Sequence, residues 1–257
     1  MAAKTEPNPE PASRAELQPF SEGDFHALAP TLARDAQYDD RRLEARRKLG
    51  SLAKVFVARA EAEGGLKLES RTSMHSPSSF NHMQVKRLWA YVCRGKKEKS
   101  RLRSTLGAEL GKDLDAAYRN AYLCAAIESD SLEVSLRIHA DAWYDGQNLI
   151  HRVQREGLDG WKTQLNLLEG FKLELADWKG EWICGKLGRE RIEEFLKYYK
   201  PGEHALAVVR RFPAPPPLRG EAFAPDMPQR IVEELLRLVP LYRFTAWSEE
   251  SDHLFGR

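Results

Sequence analysis

The most regular stretch of the chain lies between residues 121 and 139. Leu132, Val134, Leu136 and Ile138 alternate with Glu133, Ser135, Arg137 and His139, the period-two pattern of a strand with one buried and one wet face. The run before it, 121–128, is apolar almost throughout, and Ser129-Asp130-Ser131 separates the two arms, which predicts an antiparallel hairpin. A second hairpin is predicted from 171–175 and 181–187, with a turn near 177–180, and further strands over 66–70 and 205–212. The segment 85–93 has the aromatic and β-branched content of a strand, while its position after Asn81 also permits a helix.

Helical spacing dominates elsewhere. Phe25, Leu28, Leu32, Leu43, Leu49, Leu52, Val55 and Phe56 predict a helical pair over 24–63, interrupted near Asp39-Asp40 and stopped by Gly64-Gly65. Further helices are predicted over 105–119, 142–155, 158–169, 189–199 and 228–239, the last running through Ile231, Leu235, Leu238, Val239 and Leu241 into a packed turn at Pro240. Pro7, Pro9, Pro11 and Pro19 stand among small and charged residues, so 1–19 is expected to be a disordered tail. The prolines of 211–219 cannot donate to a ladder and predict an extended surface strip, a place where a scaffold's partner could dock. The expected fold is α+β: a mostly antiparallel sheet built on two hairpins, helices packed on it, and a helical N-terminal pair. It forms one domain over 20–247, followed by a short tail, 248–257, that frays or docks through Leu254 and Phe255.

Composition narrows the class. With 257 residues and 42% hydrophobic content the chain can bury a large core, and no fixed-period repeat suggests a solenoid. The longest uninterrupted apolar run, 121–127, is far short of the roughly 20 residues needed to cross a bilayer. The start lacks the apolar core of a secretory signal, so a cytoplasmic protein with no membrane partner is expected. Cys93, Cys124 and Cys184 are widely separated and odd in number, which argues for core thiols rather than a disulfide framework or a zinc motif.

Charge adds the one functional clue. Residues 41–103 hold 17 Lys/Arg against 5 Asp/Glu, a local charge of +12, whereas 1–40 and 104–257 carry −5 each. The chain's net charge of +2 hides this segregation, which is the usual sequence trace of a surface that meets an anion. Two parts are dense: Arg41, Arg42, Arg46, Arg47 and Lys48 on a predicted helix, four of them expected to share a face, and 86–103 with Trp89 and Tyr91 interleaved. The anion-binding candidates are Arg41, Arg42, Arg46, Arg47, Lys96, Lys97, Lys99, Arg101 and Arg103, and the expected partner is nucleic acid or another polyanion. The competing picture pairs these cations with acidic flanks, turns Trp89 and Tyr91 to the core, and leaves 95–100 as a solvated loop.

Catalytic chemistry is weaker. His139, Asp141, Asp145 and His151 crowd one strand-to-helix junction with ligands suited to zinc, but Asp141 reads better as a helix N-cap. Asp177-Trp178-Lys179 fits half of a metal-dependent nuclease site, with Glu174 or Glu133 as a second carboxylate, although a turn with Trp178 packed beneath it explains the tripeptide more simply. No nucleophile elbow, phosphate-binding glycine loop or zinc-protease helix is present, and no cofactor is expected.

The opening Pro19-Phe20-Ser21-Glu22-Gly23-Asp24-Phe25 and the closing Leu238-Val239-Pro240-Leu241-Tyr242-Arg243 resemble the two ends of the functionally uncharacterised, bacterial YktB-like family. The resemblance implies an α+β fold with helices on an antiparallel sheet. It implies no activity.

Overall fold

Residues 17–176, 178–215 and 223–255 are described by the computed structural model. The chain begins with α1 (Glu22–His26) and the long α2 (Asp39–Gly64), which Gly65 closes in the left-handed conformation at φ 67°. Then follow β1 (Leu68–Thr72), β2 (Arg87–Arg94), α3 (Lys96–Leu106), β3 (Tyr122–Glu128) and β4 (Ser131–Ile138). A helical block interrupts the strands, with α4 (Trp143–Glu156) and α5 (Leu158–Asn166) before the hairpin of β5 (Lys172–Leu175) and β6 (Trp182–Ile183). The chain ends with α6 (Arg189–Tyr198), β7 (Leu206–Pro213), α7 (Met227–Arg237) and α8 (Val239–Thr245).

The strands form one seven-stranded sheet in the order β1-β2-β3-β4-β7-β5-β6, with every neighbouring pair antiparallel. The fold is α+β, with helices packed on an antiparallel sheet. Alternation decides the faces. Leu88, Ala90, Val92, Leu123, Ala125, Ile127, Leu132, Val134, Leu136, Ile138, Leu206 and Val208 all enter the main core, under α2 and α7, which pack on this side and on each other. The opposite face carries Arg87, Trp89, Tyr91, Tyr122, Cys124, Glu133, Ser135, Arg137 and Arg211, as the register of β2, β3, β4 and β7 requires. The ambiguous segment 85–93 is therefore strand β2.

Four expectations change. The stretch 95–100 is not a loop but the start of α3, and the helix expected over 105–119 is absent: Gly107, at φ 84°, ends α3, and only a 3-10 turn over Ala117–Arg119 follows. The buried side of α3 is Lys99, Leu102 and Leu106; a lysine stem supplies one of its three apolar positions, which a count of hydrophobic residues omits. The turn expected at Pro240 is α8, whose first turn tolerates the proline because the N–H it lacks would have no intrahelical acceptor there. The packed chain also exceeds 20–247. Leu17 joins the main core, and Leu254 joins Leu102, Leu106, Leu114, Tyr144 and Trp247 in a second cluster, while Phe255 stays exposed. The expected tail residues 1–16 and 256–257, and 216–222 of the proline strip, lie outside the described residues.

Candidate anion-binding site

The basic island does not stay together. Arg46 hydrogen-bonds Thr72 Oγ1 at 2.9 Å, near one end of β1, whereas Lys67, at the other end of that strand, accepts from Gly95 N just before α3. The 41–47 group occupies the first turns of α2, and α3 begins beside its C-terminal end, where Gly64, Gly65, Lys96 and Lys97 line one cavity. At 1.5 Å per residue, Arg46 and Gly64 are ~27 Å apart along the helix.

Nor does the first group share a face. At ~100° per residue Arg42 and Arg46 turn towards the protein while Arg41 and Arg47 turn out. Arg42 is fully buried, and its guanidinium donates to the carbonyls of Ala27, Leu32 and Asp35 and to Asp39. It is a structural strut that closes the 27–39 turn. Lys99 is likewise buried against Glu69. Both are removed from the anion-binding candidates, because neither head group can reach a ligand without abandoning its partners. Arg41 pairs with Glu44 at 3.1 Å, and Arg103 bonds Gly111 O at 3.0 Å with Asp115 at 3.6 Å. Arg47 is exposed.

What converges is the second part of the island. A cavity of about 720 Å³ opens where the end of α2, the start of β1, the first turn of α3 and the end of α8 meet. Its wall holds Lys67, Lys96, Lys97, Arg101 and Arg243 against Glu98, Glu249 and Glu250. Lys67, Lys96 and Lys97 form no ion pair among the described residues, whereas Arg101 meets Glu249 at 2.7 Å and Arg243 donates to Gly64 O. Gly95 is the N-cap of α3 and offers no side-chain acceptor, so the first N–H groups of this 11-residue helix remain free at the cavity. Sequence reasoning found Lys96, Lys97 and Arg101 and missed Lys67 and Arg243, which only the β1–β2 pairing and the return of α8 bring beside them.

The cavity is underlain by charge. Arg94 and Asp145 are both fully buried and ion-paired. Asp145 also accepts from Ala121 N at 2.6 Å and Trp247 N at 2.8 Å, which ties β2, β3, α4 and the C-terminal segment together. Burial opposes the Arg94 charge, but Asp145 beside it holds the guanidinium pKa above its ordinary value. Burial pushes the Glu98 carboxyl up, and the nearby Arg94 charge only partly offsets it.

The opposite sheet face is not the wet face that the alternation predicts, since Tyr122, Cys124, Glu133 and Ser135 are buried on it; there Trp89 stacks on Tyr91 with ring centres 3.7 Å apart, and Tyr91 on Tyr122 at 4.2 Å. Tyr91 lies between the other two rings, and Trp89 gives one of its flat faces to it. Trp89 and Tyr91 do pack inward, against the small buried cluster of Cys93, Ala117, Tyr122, Cys124 and Ala126 rather than the main core. Beside them Arg87 and Arg137 converge on buried Glu133, with Arg211 bridging to Glu174. Both carboxylates proposed to complete a nuclease site are thus already neutralised by arginines. Asp177 lies outside the described residues, and Trp178, rather than packing beneath the turn, is half exposed and stacked on Tyr198.

The candidate metal set disperses. Asp145 faces Arg94, His151 bonds His253 O at 2.8 Å, and only His139 and Asp141 remain near each other, at 3.6 Å. Asp141 is not the N-cap: its own N–H donates to His139 Nδ1, and α4 starts two residues later. Among the described residues no group of three or more His, Cys, Asp or Glu could hold a metal ion, and no helix is long and apolar enough to cross a membrane. No protein-family model and no curated protein matches the chain.

Proposed function

We propose that the protein binds a polyanion, with nucleic acid as the first candidate, and that contact is made at the cavity beside the first turn of α3 rather than along a surface track. The observation that carries this reading is the convergence of Lys67, Lys96 and Lys97, without ion pairs among the described residues, on one concave wall that also holds the free N–H groups of a helix start. Unpaired cations are free to neutralise phosphates and so release the counterions condensed on the nucleic acid, which is the main driving force for such binding. The acids of the same wall, Glu98, Glu249 and Glu250, restrict the contact to a few phosphates. The likeness of the chain ends to the YktB-like family belongs to the same proposal and contributes a fold only.

The test is fluorescence anisotropy with a short single-stranded oligonucleotide over a salt series. Neutralising about three phosphates gives a log–log salt slope of about −2. The double variant Lys96→Glu, Lys97→Glu is expected to abolish binding while leaving the helix intact, because acidic residues suit a helix start. Arg41→Glu with Arg47→Glu is expected to change little. Salt-independent binding, or a Lys96/Lys97 double variant that binds normally, sinks the proposal.

A further inference from the structure

Behind the inner wall of this cavity, hydrogen-bond donors outnumber acceptors. Arg94 commits Nη2 to Asp145, yet its Nε and Nη1, although buried, have no acceptor. Tyr242 and Trp247 belong to the cavity wall, each is only 2% exposed, and the Tyr242 hydroxyl and Trp247 Nε1 are also without partners. The Tyr144 hydroxyl is a fifth such atom, on a ring 5.8 Å from the Arg94 guanidinium. Guanidinium and indole N–H groups can only donate. The nearest carboxylate cannot serve them all: Asp145 Oδ1 already accepts from Arg94 and Trp247 N, and Oδ2 from Ala121 N. Native proteins rarely leave several buried donors unmatched, so these atoms call for an acceptor that the folded chain does not itself supply.

We infer that the ligand's terminal phosphate monoester is the group received by Arg94, Tyr242 and Trp247, so that the protein recognises a phosphorylated chain end. This deepens the polyanion reading and rests on it. A monoester presents three oxygens and up to two charges, enough to meet several donors at once, and it needs room on one side only. An internal phosphodiester has two free oxygens, one charge and a chain leaving in both directions. The Arg94–Asp145 pair and Trp247 are packed at the back of the cavity wall, and donors buried so deeply are met more readily by a terminal group than by a phosphate held within a continuing strand. Glu98 stands in the same wall, close enough to Arg94 to feel its charge, and its carboxylate competes with an incoming phosphate. Lys96 and Lys97 then hold the following phosphates at the rim.

The experiment compares one short oligonucleotide carrying either a 5′-phosphate or a 5′-hydroxyl, each with a fluorophore at the other end, and repeats the comparison with 3′-phosphorylated material. The full chain is expected to prefer one phosphorylated end by about tenfold or more, the scale of charged hydrogen bonds to an otherwise unmatched site. Tyr242→Phe removes only an unpartnered hydroxyl and is expected to keep the fold. It should reduce the preference while leaving the weaker binding of the hydroxyl-ended strand in place, and Trp247→Phe should do the same. Glu98→Gln should strengthen binding of the phosphorylated end. Equal, salt-sensitive binding of both kinds of end overturns this inference and leaves the polyanion reading standing; no binding of either at low salt overturns both.

Discussion

Lys48 Nζ lies 2.7 Å from Asp24 Oδ2, with the lysine side chain 6% and the aspartate 0% exposed. The same carboxylate accepts from Ser21 N at 2.7 Å, so the pair fastens the short α1 to the middle of α2. Lys48→Met keeps the stem and strands a buried carboxylate, and should cost about 3 kcal/mol in urea unfolding. Adding Asp24→Asn should recover much of the loss; a double variant no better than the single one would show that the ion pair is not the cause.

Asp145 has a wider reach, because its carboxylate collects Arg94, Ala121 N and Trp247 N. Asp145→Asn is expected to lose about 3 kcal/mol, the usual cost of breaking a buried pair from one side. Hydrogen exchange should accelerate most near Trp247, where the lost acceptor lies, and less towards His253, which Asn148 and His151 also hold. Uniform acceleration across the chain would argue against that local role.

Acid should weaken the protein in a defined window. Burial alone would push the Glu133 carboxyl up, but hydrogen bonds and charge from Arg87, with charge from Arg137, bring it down to about 2 from an ordinary 4.5. A folded-state value below the unfolded one stabilises the fold at neutral pH, and that contribution drains away as pH falls from about 4.5 through 2. Its size is on the order of 3 kcal/mol. Denaturant midpoints measured across this range should fall steeply in the native chain and less steeply in Glu133→Gln, whose baseline is lower. Parallel curves would remove Glu133 as the source.

The thiols should be silent. Burial pushes Cys124 and Cys184 up to about 12 and raises Cys93 as well, so little thiolate is present at mildly alkaline pH. A thiol-disulfide dye is expected to label none of the three until denaturant is added. Labelling of any one in the folded protein would place that cysteine on an accessible, opening segment.

Trp89 separates the sheet face from the cavity. Its ring face is engaged by Tyr91, so Trp89→Leu should cost about 1 kcal/mol of stacking and leave oligonucleotide affinity unchanged. A marked loss of affinity would move the binding surface onto the sheet face that carries Trp89.

The sheet was legible where pattern and packing obey the same period. Leu132 to Ile138 alternate because β4 has one face under the helices and the other under arginines, and the strand lies where the alternation puts it. The site was legible only in part, because counting charge treats every cation as a surface group. Arg42, Lys48, Arg94 and Lys99 are all buried, and what holds them inside are backbone carbonyls or carboxylates distant in sequence, such as Ala27 O for Arg42 and Glu69 for Lys99. No local pattern announces such partners. Lys67 had no such signal either: its place follows from the register of β1 on β2, with Leu68 opposite Arg94 and Gly95 N donating to Lys67 O at 3.2 Å.

The position of β7 has a consequence for how the chain assembles. After Ile138 the backbone leaves the sheet, builds α4, α5, β5, β6 and α6, and returns at Leu206 to lie between β4 and β5. The meander β1–β4 can zip up from neighbours in sequence, but β5 and β6 have no route into the sheet until β7 arrives, since β5 touches it through that strand alone. Closing so long a loop is an entropic bottleneck. A late, slow insertion of β7 is therefore the step during which the half-built sheet keeps β4 as a bare edge.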